Sequence, residues 1–319
     1  MNEPIPDLLR RAAAWQREGR GVTACLLVRA RGSTPQTPGA LMLVDDAAAT
    51  YGTIGGGCVE AEVRREALAL IAAGKSRTLR YKLDHDYGWD DGLICGGTIE
   101  LAVGPFPDPA TLETIIAALD ARRGTALDIA VDDDAGDRVI YRRHLPPCPR
   151  LYIAGAGHVG QALVRLARRL DFEITVFDDR PDLLDQVQTL GAQGMGGSIA
   201  ARLAAMPIDA ETYAVIVTRG HRHDAEALAA TAGRGARFVG MIGSRRKVKV
   251  IFDDLVTRGT PAADLEDVEA PIGLDIGSVT VEEIAMSIAA RLVQVRRAEA
   301  ETLVEGPLPH PAPAASLAS

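Results

Sequence analysis

The sequence contains no run of about 18 apolar residues, so no segment is suited to cross a bilayer as a helix. Its start, Met1-Asn2-Glu3-Pro4, lacks the basic residues and apolar stretch of a secretory leader. A cytoplasmic location and no membrane partner are therefore expected. Cysteine is scarce. Cys25, Cys58, Cys95 and Cys148 form no C-x-x-C pair, which argues against both a disulfide framework and a structural zinc site. Positive charge is also in deficit. The net charge of −8 argues against a nucleic-acid partner, which selects for a basic face. Two catalytic signatures are missing: a Ser–His–Asp order and a phosphate-binding P-loop. His221 and His223 have no matching Glu or third His nearby, so they read as ligand-bonding or packing residues and not as metal ligands.

What is present is enough chain for two cores: 319 residues, 47% of them hydrophobic. The expected fold class is α/β, with a smaller mixed α/β N-terminal domain over residues 1–145 and a C-terminal Rossmann-type domain with a parallel sheet over residues 151–305. In the first domain, helices are expected at 6–18, 59–71 and 108–120, and strands at 22–28, 40–44, 77–82, 98–103 and 126–131. Pro146, Pro147 and Pro149 mark residues 146–150 as a linker, because proline stiffens the chain and removes backbone donors. Beyond it, strands at 151–154, 173–177, 213–217 and 238–242 alternate with helices, which implies parallel crossovers. A long amphipathic helix is expected at 281–297. Residues 306–319, rich in Pro, Ala and Ser, are expected to form a disordered tail.

Gly155-Ala156-Gly157-His158-Val159-Gly160 is a G-x-G-x-x-G fingerprint. It follows an apolar strand, opens a helix, and has Asp178 at the end of the next strand, as a dinucleotide fold requires. Gly155 permits the turn, Gly157 lets backbone approach a phosphate, and Gly160 lets helix and strand pack closely. Asp178 is a candidate for a ribose hydroxyl, although Asp179 and Arg180 beside it leave the ligand open. Gly243-Ser244-Arg245-Arg246-Lys247 reads as a second anion cradle, since three cations in a first helical turn oppose the helix dipole unless an anion joins them. Asp224 is the expected cap of the helix that follows Thr218-Arg219-Gly220-His221.

The N-terminal domain carries two Gly–Cys clusters, Gly55-Gly56-Gly57-Cys58-Val59-Glu60 and Cys95-Gly96-Gly97, and a polar loop, Gly32-Ser33-Thr34-Pro35. Glycines bring backbone close to a ligand, and a cysteine at a helix start gains thiolate character, which suits soft, sulfur-rich partners. The alternative is that both cysteines are small core residues. Asp84, His85 and Asp86 could serve as acid–base groups or as a solvated turn.

Taken in order, these motifs, together with Pro271-Ile272-Gly273-Leu274-Asp275-Ile276-Gly277, resemble the XdhC/CoxI family of accessory proteins for xanthine dehydrogenase and related molybdenum hydroxylases. The similarity runs from about Val22 to Arg297. Members often carry proline where Val281 stands, but Thr280 and Glu283 can still form a capping box. The resemblance implies a chaperone for the molybdenum cofactor in its molybdopterin form, one that protects the cofactor while its terminal sulfur is installed and inserts it into the hydroxylase, without turnover of its own. It also implies two partners, the molybdenum subunit of xanthine dehydrogenase and a cysteine desulfurase. Long apolar helices add a homodimer to these expectations. The expected cofactor-binding set is Ser33, Thr34, Gly56, Gly57, Cys58, Cys95, Gly96, Gly155, Gly157, His158, Gly160, Asp178, His221, Ser244, Arg245 and Lys247, with Cys58 the candidate contact to the metal centre. An NAD(P)-dependent oxidoreductase is the alternative, distinguished by a hydride-transfer site that the motifs do not supply.

Overall fold

A computed structural model describes residues 4–83, 96–133, 135–298 and 303–309. They divide into two compact units, one running to Pro147 and including the strand after 303, the other spanning Cys148–Ala298. The boundary lies inside the Pro-rich stretch.

The first unit opens with α1 (Ile5–Arg17), which buries Leu8, Leu9, Ala12, Ala13 and Trp15, a helical spacing. It continues through β1 (Val22–Arg31), β2 (Leu41–Asp45), β3 (Thr50–Gly52), α2 (Gly57–Ala73), β4 (Arg77–Lys82), β5 (Thr98–Pro105), α3 (Pro109–Asp120), β6 (Thr125–Asp132) and β7 (Arg138–Leu145). Among the described residues, β3-β2-β1-β5-β4 form an antiparallel sheet. Both faces are covered, because side chains alternate across it. Cys25, Leu27, Leu101 and Val103 share one core with Val59, Val63 and Ala67 of α2. Ala24, Leu26 and Ala102 share the other with α1, α3, β6 and β7. A bulge between Leu27 and Arg29 shifts the β1–β5 register, so that Arg29 faces Glu100 and Arg31 faces Thr98.

The second unit runs β8 (Arg150–Ala154), α4 (His158–Ala167), β9 (Glu173–Asp178), α5 (Pro181–Thr189), β10 (Gln193–Gly196), α6 (Ile199–Ala205), β11 (Thr212–Ile216), α7 (His221–Ala229), β12 (Phe238–Met241), α8 (Arg245–Thr257), α9 (Ala263–Glu266), β13 (Val268–Glu269) and α10 (Val281–Arg297). Its sheet has the order β10-β9-β8-β11-β12-β13, with every pairing parallel. The chain winds outward from β8 in one direction and from β11 in the other. A crevice therefore opens between their carboxyl ends, where such sheets bind ligands. Alternate positions along each strand feed separate cores. Leu151, Ile153 and Val176 pack with Leu163, Ile288 and Leu292, while Tyr152, Ala154 and Ile216 pack with Leu228, Met241 and Ile251.

Two boundaries differ from expectation. Residues 306–309 are not tail: β14 (Val304–Pro309) pairs antiparallel with β7. Its mostly exposed side chains gave no apolar period to read, and its main-chain pairing to an edge strand supplies the order instead. Helix α7 begins at His221 with Gly220 as its N-cap, so Asp224 lies buried in the first turn and does not cap. No helix among the described residues is long and apolar enough to cross a membrane. At α10 the capping box is formed, with Thr280 accepting from the Glu283 amide and Glu283 accepting from the Thr280 amide. Thr280→Ala is expected to cost this unit about 1 kcal/mol, read as a lower urea midpoint with an unchanged m-value.

Candidate functional site

In the second unit the three glycines of the fingerprint separate by role. Gly155 has φ of +114°, and a Cβ there would lie 2.5 Å from the Val217 carbonyl oxygen. At Gly160 it would lie 2.0 Å from the Gly155 carbonyl oxygen. Both are needed for packing. At Gly157, the N-cap of α4, a Cβ would meet nothing within 4 Å. Its bare backbone faces open space beside the unpaired first-turn amides of the helix, a place for an anion. His158 follows it, exposed. The loop after β11 carries His221, exposed at the start of α7, and Arg219, whose Nη2 lies 2.8 Å from Asp179 Oδ2.

Asp178 is not available to a ribose. Its side chain is 2% exposed. Oδ2 accepts from the Ala156 amide at 2.7 Å and from Arg180 Nη2 at 2.8 Å, and Oδ1 from the Arg180 amide at 3.0 Å and Arg180 Nε at 2.8 Å. Four donors fill the acceptor positions of the two oxygens. The sequence showed an acid at the end of the second strand but not that Arg180, two residues on, would fold back onto it. Burial alone would raise the Asp178 pKa, but the Arg180 guanidinium and the two amides outweigh it and hold it near 2.

Lys247 likewise has an internal partner. Its ammonium lies 2.5 Å from Oδ2 of Asp224, and Thr218 donates to Oδ1 of the same carboxylate at 2.6 Å. Asp224 is fully buried, and a buried carboxylate demands a counter-charge. The cation expected to hold phosphate therefore neutralises an acid of the neighbouring helix. Ser244 caps α8 by accepting from the Lys247 amide at 3.2 Å, and Arg245 and Arg246 remain exposed at the helix start.

In the first unit, three separated motifs come together at one end of the sheet. Ser33 bridges to Gly96. A Cβ on Gly97 would lie 2.3 Å from the Ser33 carbonyl oxygen, and one on Gly55 would lie 2.5 Å from Pro35 Cγ. Thr34 Oγ1 donates to the Gln36 carbonyl at 2.9 Å and shapes the turn. Gly55, Gly56 and Gly57 all have positive φ, and at Gly56, Gly57 and Gly96 a Cβ would meet nothing within 4 Å. The glycine-rich loop is held from within by Glu60, a residue not expected to act. Its Oε1 accepts from the amides of Ile54 at 2.9 Å, Gly55 at 3.2 Å and Gly56 at 2.8 Å, and from the Thr53 hydroxyl. Burial pushes the Glu60 carboxyl upward, but these donors outweigh it and leave its pKa below the ordinary value. An acid in the first turn after a glycine run was the available signal.

Cys58, in the first turn of α2, is partly exposed, whereas Cys25 is fully buried, and burial pushes the Cys25 thiol well up. Cys95, Asp84, His85 and Asp86 lie outside the described residues. Among the described residues no three His, Cys, Asp or Glu side chains gather to hold a metal.

One chain thus carries a Rossmann-type unit with an open glycine loop and another unit whose glycine loops converge near a partly exposed thiol. The chain belongs to the XdhC and CoxI family: residues 15–82 match the XdhC and CoxI family and residues 151–292 match the XdhC Rossmann domain. It is 24% identical over 302 residues to the molybdenum cofactor insertion chaperone PaoD of Escherichia coli, covering 91% of this chain and 88% of PaoD. It is 25% identical over 317 residues to a Bacillus subtilis protein described as a probable xanthine dehydrogenase subunit, covering 85% of this chain and 92% of that protein. The uncharacterized Escherichia coli protein YqeB is 27% identical over 91% of this chain, which spans only 46% of YqeB. A crystal structure of a Bacillus halodurans protein described as a xanthine dehydrogenase shares the fold, with a TM-score of 0.75 and 23% identity over 92% of this chain and 95% of that one.

Two stability measurements follow from the internal carboxylates. The folded-state pKa of Asp178, near 2, lies below its ordinary 3.8, so its contribution is complete above that ordinary value and is lost as pH falls toward 2. Asp178→Asn is expected to destabilise the second unit by about 2 kcal/mol at neutral pH and to flatten its acid limb; an unchanged acid limb would remove the pair from the fold's support. Glu60→Gln is expected to cost the first unit about 1 kcal/mol, with hydrogen exchange at the Gly55 and Gly56 amides rising while β4 and β5 stay protected.

Proposed function

We propose that this protein binds the molybdenum cofactor, protects it while a cysteine desulfurase installs its terminal sulfur, and delivers it to the molybdenum subunit of a xanthine-dehydrogenase-type enzyme. One observation carries the reading: three chain segments distant in sequence meet to present bare backbone at Gly56, Gly57 and Gly96, near a thiol, Cys58, that is neither buried nor bonded in a disulfide. Bare glycine faces fit a flat heterocycle or an oxyanion at close approach, and a thiol suits a sulfur-rich metal centre. Ser33, Thr34 and Cys95 adjoin these loops in the chain. The open Gly157 and the exposed His158, His221, Arg245 and Arg246 offer a second place for phosphate or nucleotide.

The saturated Asp178 weighs against an NAD(P)-dependent oxidoreductase, because the ribose hydroxyls of a dinucleotide would find no acceptor there. The family relationship and the PaoD similarity support the cofactor reading. The role is that of a carrier. The protein's own residues bind the cargo, orient it and keep water from it, and the chemistry of sulfur installation belongs to the partner.

The test is titration of the full chain with molybdenum cofactor and, separately, with NADH. Near-stoichiometric cofactor binding is expected, together with no substrate-dependent oxidation of NADH. Cys58→Ala should weaken cofactor retention about tenfold, which is about 1.4 kcal/mol, with little change in the unfolding midpoint. Cys25→Ala, its buried counterpart, should lower stability and spare binding. Hydride transfer from NADH, or cofactor retention unaffected by Cys58→Ala, would refute the respective parts of the proposal.

A further inference from the structure

The outer part of the first unit's sheet carries a feature that the cofactor reading does not use. The bulge in β1 turns Arg29 and Arg31 onto the same face as Arg80 and Lys82 of β4, with Glu100 and Thr98 of β5 between them, and these six residues line a groove. The sheet sets the spacing. Arg29, Glu100 and Arg80 form one cross-strand row, and Arg31, Thr98 and Lys82 the next. The flanking Cα atoms of a row stand about 10 Å apart, and the two rows about 7 Å apart. The first row is largely balanced. Glu100 Oε2 lies 3.3 Å from Arg29 Nη1 and 3.5 Å from Arg80 Nε, and Oε1 accepts from the Tyr141 hydroxyl at 3.3 Å. The second row has a hydroxyl at its centre where the first has a carboxylate, and Arg31 forms no ion pair among the described residues.

Arg31 has no ion pair among the described residues, and it lies in a chain in which 43 acids outnumber 35 bases. An anion in the groove would meet that guanidinium. Its location is specific as well. The main chain of Arg31 packs on Gly97, whose Cβ position would lie 2.8 Å from the Arg31 carbonyl oxygen, and Ser33 bridges Gly96 two residues further on. The cationic row therefore leads directly onto the glycine loops.

We propose that the Arg31–Thr98–Lys82 row is a phosphate subsite that holds the phosphoryl group of a ligand whose ring system lies over the Gly96 and Gly56 loops. Arginine supplies a planar fork for two phosphoryl oxygens, lysine a point charge, and threonine a hydroxyl donor between them. On the cofactor reading, on which only the identity of the ester rests, this phosphoryl group is the terminal phosphate of the pterin. Both ends of the ligand would then be held within one unit, without the second unit's fingerprint.

The experiment uses the full chain, as wild type, Arg31→Gln, Lys82→Gln, the double variant, and Arg258→Gln as an exposed control at the C-terminal end of α8. Binding of inorganic pyrophosphate is measured by calorimetry at about 0.05 M and 0.2 M salt, and binding of molybdenum cofactor is measured with and without its phosphate removed enzymatically. The double variant is expected to weaken pyrophosphate at least about tenfold at low salt, with a smaller difference at high salt, while Arg258→Gln binds as wild type. It should also weaken the intact cofactor but not the dephosphorylated form. Pyrophosphate or intact cofactor bound equally by wild type and by a folded double variant overturns the subsite. Pyrophosphate lost in the double variant, with no cofactor bound by wild type, supports the subsite and refutes the cofactor reading instead.

Discussion

Backbone amides of a loop that leads into a helix have no partner within that helix, and both units supply one from a side-chain carboxylate. Glu60 gathers the amides of residues 54–56, and Asp178 takes the amide of Ala156. A glycine-rich loop has little intrinsic shape, since each glycine gives up more backbone freedom on folding than any other residue. A charged acceptor bound to loop amides, three at Glu60 and one at Asp178, fixes the loop at the cost of one side chain. In each case the acid sits where burial disfavours its charge, and the hydrogen bonds win, which leaves the carboxylate more acidic than in water. The loops are thus set before any ligand arrives, and the amides beyond these acids remain to receive one.

The same device limits what the second unit can bind. A dinucleotide needs both the helix start and a ribose acceptor at the end of the neighbouring strand. Here the first is present at Gly157, and the second is closed by Arg180. Lys247 is drawn away from the helix start by the buried Asp224. Two of the charged groups that a motif reading assigns to a nucleotide are therefore spent on the protein itself. The exposed groups left at the helix starts are Arg245, Arg246 and His158.

Periodicity was the most legible part of the sequence. The strand at Arg77–Lys82 and the helix at Val281–Arg297 fall where alternation and helical spacing put them, because burial of one face decides both. The packing roles of Gly155 and Gly160 were legible for the same kind of reason: each follows from how near backbone must come to backbone. Short elements whose order comes from main-chain pairing, such as β14 and β10, left no pattern to find. The partners of Asp178 and Lys247 were hidden because they depend on which loops the fold brings together. A row of charges shows its sign in sequence but not its counter-ions.

That difference bears on where an anion can be held. At Ser244–Lys247 the sequence offers three cations in a line, yet one is consumed by a neighbouring helix. On β1 and β4 the cations are separated by some fifty residues, invisible as a cluster, and a single bulge at Val28 aligns them. Without the bulge, the alternation of the strand would turn Arg29 and Arg31 toward the core shared with α2, where Leu27 and Ile99 pack. Two arginines cannot be buried there without partners, so the bulge is required by the residues as much as it arranges them. A one-residue irregularity in β1 thus places Arg31 on the face that runs onto the glycine loops, and charge there is a consequence of register.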